Sequence, residues 1–293
     1  MDAVARLAGL QAQESTGPYV GLWSRLRDFR REELTRAIEE RRLSLATLQR
    51  VTIHLVTADD HRWLKPTLAP VLERTRRRPA LRDLDHDRVL AAARERLPAR
   101  MPELHDLVRG AAERGYVNDY YQANLPLVRV PPAGTWGSSG SALQELVEVG
   151  EADVGQLVRR YLAAFGPATV RDAQAWSGLT RLREVLARLE LVELGGGYVD
   201  LPDAPRPGAD VDAPPRFLPR WDNVLIGYAD RSRFGAPRIG EPAVLVDGVV
   251  AGSWRWTGDD VEVDVAAGQR RAIEDERVRL RDWLSDAAAS SRP

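Results

Sequence analysis

Apolar and polar positions follow two rhythms along this chain, and the change from one to the other divides it. The clearest unit lies between residues 153 and 201. Apolar residues at 154, 157, 158, 161, 162 and 165 recur at helical spacing from Asp153 to Phe165, and Gly166-Pro167 ends them. Thr169 to Trp176 predicts a second short helix and Gly178 a turn. Apolar positions 179, 182, 185, 186 and 189 predict a third helix over Leu179 to Leu189. Leu191 to Leu201 then alternates around Gly195-Gly196-Gly197, as a β-hairpin does. Helix, helix, turn, helix, hairpin is the winged-helix order.

The same grammar reads more faintly twice upstream. Asp87 to Leu97 and Met101 to Arg114 have helical spacing, and Gln122 to Val130 reads as a closing wing strand. In residues 1–57, Asp2 to Glu14 and Glu32 to Arg42 predict helices. The β-branched run Val51-Thr52-Ile53-His54-Leu55-Val56 predicts a strand. After residue 202 the rhythm changes. A proline-rich linker (Pro202 to Gly208, then Pro214-Pro215) leads to short strands at Val224 to Tyr228, Ala243 to Val246, Val249 to Trp256 and Val261 to Val265. Asp247-Gly248 is a tight turn, and a charged helix runs from Arg270 to Leu284. The expected fold is α+β and mainly helical: tandem winged-helix (helix-turn-helix) modules at 1–57, 58–150 and 151–201, then a β-rich domain at 202–293. Modules of about 50 residues are marginal alone, so they are expected to pack side by side.

Composition narrows the function. With 293 residues, 44% hydrophobic, the chain can bury several cores, and no apolar run approaches the ~20 residues of a membrane span. Residues 1–6 show neither the basic region nor the apolar core of a secretory signal, so a cytoplasmic, nucleoid-associated location is expected. The absence of cysteine removes disulfides, thiol nucleophiles, iron-sulfur clusters and thiolate zinc sites. A net charge of −1 argues against nonspecific coating of nucleic acid. All basic residues but Lys65 are arginines, several of them clustered around Arg25, Arg74 to Arg78, and Arg216 to Arg233. Arginine's planar fork suits phosphate, although an arginine-rich coding bias would also place many on solvated faces. His54, Asp59, Asp60 and His61 straddle a strand end at a spacing without metal-site logic, so neither metal nor cofactor is expected.

One feature carries chemistry. Gln11 and Gln13 are spaced i, i+2 in Gly9-Leu10-Gln11-Ala12-Gln13, at the end of an apolar helical run and before Gly17-Pro18. By spacing alone they are polar residues at a helix end. The strings Pro18-Tyr19-Val20-Gly21-Leu22-Trp23, Arg50-Val51-Thr52-Ile53-His54, Val128-Arg129-Val130-Pro131-Pro132, Thr135-Trp136-Gly137, Phe217-Leu218-Pro219-Arg220-Trp221-Asp222, Ala229-Asp230-Arg231-Ser232-Arg233 and Val246 to Trp254 join them across nearly the whole chain. In order and spacing they resemble the AlkZ/YcaQ-type winged-helix DNA glycosylases, and the Gln-x-Gln form is nearer AlkZ than YcaQ. Relatives generally carry a further basic helical segment ahead of the glutamines. Here Met1 falls almost at the start of that helix, so a trimmed first winged helix or a late start is expected.

The resemblance implies that Gln11 and Gln13 are catalytic, that Arg50, Thr52 and His54 line the site, and that Arg25, Arg220, Arg231 and Arg233 contact DNA. It further implies base excision from duplex DNA carrying N7-alkylpurines or interstrand crosslinks. A carboxamide hardly titrates and can only accept a water proton in a hydrogen bond while holding the lone pair toward C1′. A cationic N7-alkylpurine departs as a neutral base, so a weak catalytic pair suits a reactive leaving group. Lys65, the only side-chain amine, reads as a surface lysine, which favours monofunctional hydrolysis over Schiff-base chemistry. On its alternating strand His54 reads equally as a core histidine. Trp23, Trp136, Trp221 and Trp254 read mostly as core, and Asp222 and Asp230 as members of an ion-pair network. Three modules in one chain make a monomer sufficient. The alternative is a non-enzymatic winged-helix regulator or an interaction scaffold. Were both glutamines enclosed in apolar packing or turned from any electropositive groove, catalysis would fall.

Overall fold

The computed structural model describes residues 2–108, 114–208, 210–235, 238 and 240–290. Its first helix, α1 (Asp2–Arg6), is shorter than the apolar pattern predicts. Ala8 and Gly9 take φ of 51° and 96°, and the chain turns into β1 (Leu10–Gln11). Glycine is required at this turn, because a Cβ at position 9 would lie 2.7 Å from Val56 Cγ1. The helix expected through Glu14 is thus a helix, a tight turn and an edge strand. Sheet pairing captures the apolar run, with Leu10 opposite Leu55 and Gln11 opposite His54. Gly17-Pro18 proves to be a start rather than a stop. Proline sits in the first turn of α2 (Gly17–Trp23), where its missing N–H is harmless. After α3 (Arg31–Glu39), β2 (Leu43–Thr47) and β3 (Ile53–Thr57) complete an antiparallel sheet of order β1-β3-β2. Their connection, Gln49–Val51, is a tight turn in which Arg50 and Val51 have φ of 55° and 59°.

The middle of the chain is built from α4 (Ala58–Thr67), α5 (Ala69–Leu72), α6 (His86–Arg96), β4 (Ala99–Arg100), α7 (Arg114–Asn124), β5 (Leu127–Arg129) and β6 (Leu143–Leu146). The three strands form a sheet of order β4-β6-β5. Here the helix expected from Met101 to Arg114 is a 3-10 helix through Val108, and residues 109–113 lie outside the described residues. Gln122 to Asn124, expected in a strand, close α7 instead, because Tyr120, Tyr121 and Leu125 bury a common face; the strand begins only after Pro126.

Residues 153–201 run α8 (Val154–Phe165), α9 (Val170–Ser177), α10 (Arg183–Leu186) and the hairpin β7 (Val192–Glu193) and β8 (Val199–Asp200). Thr169 and Asp172 form a capping box at the start of α9, and Gly178 ends it at φ 78°. The third helix is four residues long rather than eleven, since Arg181 at φ 61° prevents a start at Leu179. Trp176, Tyr161 and Phe165 centre a core that also takes Ala8, Ala46, Leu48 and Val56 from the first 57 residues. Full burial of each such large side chain is worth roughly 1.5–3 kcal/mol, so this shared core ties the two segments together firmly.

The C-terminal region holds β9 (Arg216–Leu218), α11 (Asn223–Ile226), β10 (Ala243–Val246), β11 (Val249–Trp256), β12 (Val261–Val265) and α12 (Arg270–Ser290). Its sheet has the order β12-β11-β10-β9, and positive φ at both Asp247 and Gly248 makes the hairpin turn read from the sequence. Val224 to Tyr228, expected as a strand, is mostly helix: the Asp222 carboxylate accepts from Val224 N at 2.9 Å and caps α11. No helix among the described residues is long and apolar enough to cross a membrane.

Candidate active site

Strand alternation sorts the first motif. Leu10 and Ala12 enter the apolar core, while Gln11 and Gln13 point the other way from the sheet edge. Gln11 is half-buried and Gln13 exposed, so neither is enclosed in apolar packing. Oε1 of Gln11 accepts from Arg50 Nη2 at 3.3 Å, and Oε1 of Gln13 accepts from the backbone N of Ile53 at 3.1 Å. Guanidinium and backbone N–H groups only donate, so the oxygen end of each carboxamide is the end held. Each oxygen keeps a second lone pair.

Arg50 joins this edge to the third helical unit. Its Nη1 donates to the Trp176 carbonyl, in the last turn of α9, where unpaired carbonyls and the helix dipole favour a cation. Burial and the nearby charge of Arg231 both pull the Arg50 pKa down, to about 10, which leaves it charged at neutral pH. Among the described residues Arg50 forms no ion pair, and Arg231 is exposed and forms none. The half-buried glutamine therefore faces a positive region.

His54 lies directly across the ladder from Gln11 and is 1% exposed. Its Nδ1 is 3.0 Å from the Thr52 carbonyl, which can only accept; Nδ1 therefore carries the proton and Nε2 is a lone pair. Burial, with Arg50 adding, lowers its pKa to about 3, so it is neutral. Thr52 is turned back on the loop, its hydroxyl donating to the Gln49 carbonyl at 2.9 Å.

The C-terminal region braces the chain on either side of the glutamines at two points and the end of α2 at a third. Asn223 Nδ2 donates to the Gly9 carbonyl at 3.1 Å, Arg220 pairs with Glu14 at 2.8 Å, and Arg25 grips Asp222 with two bonds of 2.7 and 2.9 Å. The Asp222 side chain is 1% exposed. Arg25, expected at phosphate, is therefore committed to a buried carboxylate inside the fold. Arg233 is exposed and lies over Tyr228 and Tyr198, at 4.4 and 5.6 Å from the ring centroids. Asp230 accepts from Ser232 N, and Asp172 accepts from Ala229 N at 2.9 Å, docking the 229–234 loop on α9. The sequence pattern missed Asn223 and Trp176; the first adjoins a quoted string, and the second acts through its backbone.

Lys65 overturns an expectation. It is 5% exposed rather than on the surface, and its amine donates to the carbonyls of Thr47 and Gln122 at 3.2 and 2.6 Å. Burial lowers its pKa to about 7, yet nothing opens it to a substrate. Trp23 and Trp254 are buried, as expected of core residues, whereas Trp136 and Trp221 are half-buried. Among the described residues no group of three metal-ligating side chains gathers. On the far side of Gln13 a cleft of about 570 Å³ opens, lined by Arg100, Arg129, Ser15 and the 131–143 loop.

Comparison with known proteins bears on the fold and the family. None of the curated proteins compared matches the chain. Among solved structures, the Streptomyces sahachiroi DNA glycosylase AlkZ is similar in fold, with a TM-score of 0.66 at 19% identity over 94% of this chain and 88% of that one. The family model described as "DNA glycosylase AlkZ-like" matches residues 4–283. With that match spanning the edge strand, its arginine and the C-terminal braces alike, the chain belongs to the AlkZ-like family of DNA glycosylases.

Proposed function

We propose that this protein is a monofunctional glycosylase that hydrolyses the N-glycosidic bond of N7-alkylated purines in duplex DNA, and that its open site admits crosslinked nucleotides. The observation that carries the reading is the paired geometry of Gln11 and Gln13. Both amide oxygens are anchored by a donor on one side and keep a lone pair on the other. A water held by these lone pairs is placed for attack at C1′ as the alkylpurine leaves. Its proton passes to solvent, for a carboxamide does not retain it. The departing purine takes the bonding electrons and is neutralised, so no general acid is needed at the base. Positioning of this kind can supply several kcal/mol of barrier lowering without a titrating group, about 7–11 at the upper limit.

Arg50 is the positioning residue for Gln11. Because its charge lies on the side of the amide away from the water, it polarises the carbonyl without occupying the reacting face. His54, directly across the ladder from Gln11 and on the same face of the sheet, supports it from the side in its neutral form. Lys65, the only side-chain amine, is enclosed by two carbonyls, which fits hydrolysis over Schiff-base formation. The tandem modules at 1–57, 58–150 and 151–201 serve on this reading as winged helices that hold the duplex, and Arg231, Arg220 and Arg233 as outer phosphate contacts. Bulky or crosslinked bases resist flipping into a tight pocket, and an exposed strand edge spares them that step.

The test is release of N7-methylguanine from a duplex by the wild type, Gln11→Ala and Gln13→Ala, with a nitrogen-mustard crosslink as a second substrate. Each substitution is expected to slow release about 10²-fold, the scale seen when one preorganised polar group is removed. A wild type that binds duplex well but frees no alkylated base would instead be a DNA-binding regulator.

A further inference from the structure

The cleft beside Gln13 has a lining of unusual chemistry. Arg129, Arg100, Gln13 and Ser15 line it together with Ser138 and the exposed Ser139 and Ser141 of its rim, and none of the residues lining it is acidic. Arg129 comes from the Val128-Arg129-Val130-Pro131-Pro132 string, which the chemistry at Gln11 and Gln13 leaves unused. It sits on β5 opposite the buried Gln144 and forms no ion pair among the described residues. Only burial shifts its pKa, downward, with no carboxylate acting on it. A half-buried guanidinium with no counter-charge is costly unless something else supplies one.

The rim is held in place. Gly134 N donates to Ser138 Oγ at 2.9 Å, Thr135 Oγ1 donates to the Pro132 carbonyl at 2.7 Å, and Trp136 N donates to Tyr19 Oη at 3.1 Å. Gly134, at φ 87°, approaches Leu45 so closely that a Cβ there would lie 2.5 Å from its methyls. The loop is thus seated on the sheet that carries the glutamines. Arg100 Nη1 donates to the Ser141 carbonyl and ties the far end.

We propose that this cleft receives a backbone phosphate of the damaged strand, with Arg129 as its principal ligand and Arg100 at the rim. The proposal rests on the glycosylase reading for the identity of the strand, and it makes Arg129 a positioning residue. Two guanidinium groups without an acidic neighbour repel a cationic alkylpurine and attract an anion. A phosphate bound beside Gln13 would set the register of the sugar at the lesion. Serine hydroxyls and backbone N–H groups of the 138–141 rim suit the remaining phosphate oxygens.

The test is the salt dependence of binding to a duplex bearing a tetrahydrofuran abasic analogue, read by fluorescence anisotropy alongside base release. Arg129→Gln is expected to weaken binding about tenfold at moderate salt and to lower the slope of log K against log salt by about one. Ser139→Glu places a carboxylate on an exposed rim residue. It should weaken binding similarly with an unchanged melting temperature, and so stands if Arg129→Gln does not fold. Affinity and slope equal to wild type in Ser139→Glu, and in a folded Arg129→Gln, would overturn the proposal. If both variants lose slope while the wild type frees no base, the phosphate site is supported and the glycosylase reading is what fails.

Discussion

Arg50 and Gln11 are joined by a hydrogen bond of 3.3 Å across the hairpin that β1 edges, and the same guanidinium holds the final turn of α9. One side chain thereby sets the direction of an amide by reference to a helix more than 120 residues away in sequence. Replacing Arg50 by Met should lower kcat for base release about 10²-fold while KM for duplex changes little, since the lost contact orients rather than binds. Arg50→Lys should recover only part of that, because a single ammonium cannot serve both acceptors with the fork's geometry. Single-turnover kinetics on an N7-methylguanine duplex separate the two constants; an effect on KM alone would assign Arg50 to DNA contact.

Gly9 sets the bend that presents the glutamine strand. Gly9→Ala forces a side chain at φ 96° toward Val56 Cγ1 at 2.7 Å. A loss of about 1–3 kcal/mol in urea unfolding is expected, together with slower base release in the fraction that remains folded. Release at the wild-type rate by the folded fraction would show that strand placement tolerates the shift.

Arg25 is expected to matter for folding and not for DNA. Arg25→Met strips a buried Asp222 of its two-pronged partner, for a loss of about 3–5 kcal/mol. The slope of log K against log salt should stay as in the wild type. A slope lower by about one would return Arg25 to the phosphate contacts.

Acid should unfold the protein through its histidines. Burial holds His54 at about 3 and His61 at about 4, with Arg50 and Lys65 adding repulsion. The unfolded chain takes up these protons near pH 6.5, so between that pH and about 4 it binds more protons than the native state. Stability therefore falls as pH falls through this window, by up to about 2.7 kcal/mol per pH unit for the two together. Urea titrations from pH 7 to 4 would measure the decline, and a His54→Leu variant should lose about half of it.

Much of this arrangement is written locally, and what is not follows a pattern. The capping box at Thr169, the Gly178 stop and the Asp247-Gly248 turn depend on neighbours in sequence, and the residue types declare them. The edge strand at Leu10 does not: nine apolar or small residues in the first twelve favour a helix, and only pairing with Leu55 and the clash at Val56 decide otherwise. β9 escaped notice for a related reason, being three residues between Pro215 and Pro219 that become a strand by joining β10. At the candidate site, family resemblance alone names the glutamines, Arg50 and His54; the structure sets Gln11 opposite His54 in one sheet and Arg50 in the turn beside them. Asn223 and the Trp176 carbonyl were not, because each contributes through a single contact made across the tertiary fold. The burial of Lys65 was equally hidden, for its partners are backbone carbonyls that no residue type announces.

The Asn223 amide meets the Gly9 carbonyl across 214 positions of chain. During synthesis Gly9 and the glutamines that follow it leave the ribosome, and the part that steadies their turn leaves about two hundred residues later. At translation speeds of about 5–20 residues per second that interval is at least ten seconds. A nascent chain consequently carries the glutamine turn unsupported through that interval, and on the proposed reading DNA meets a competent centre only once the last brace has docked.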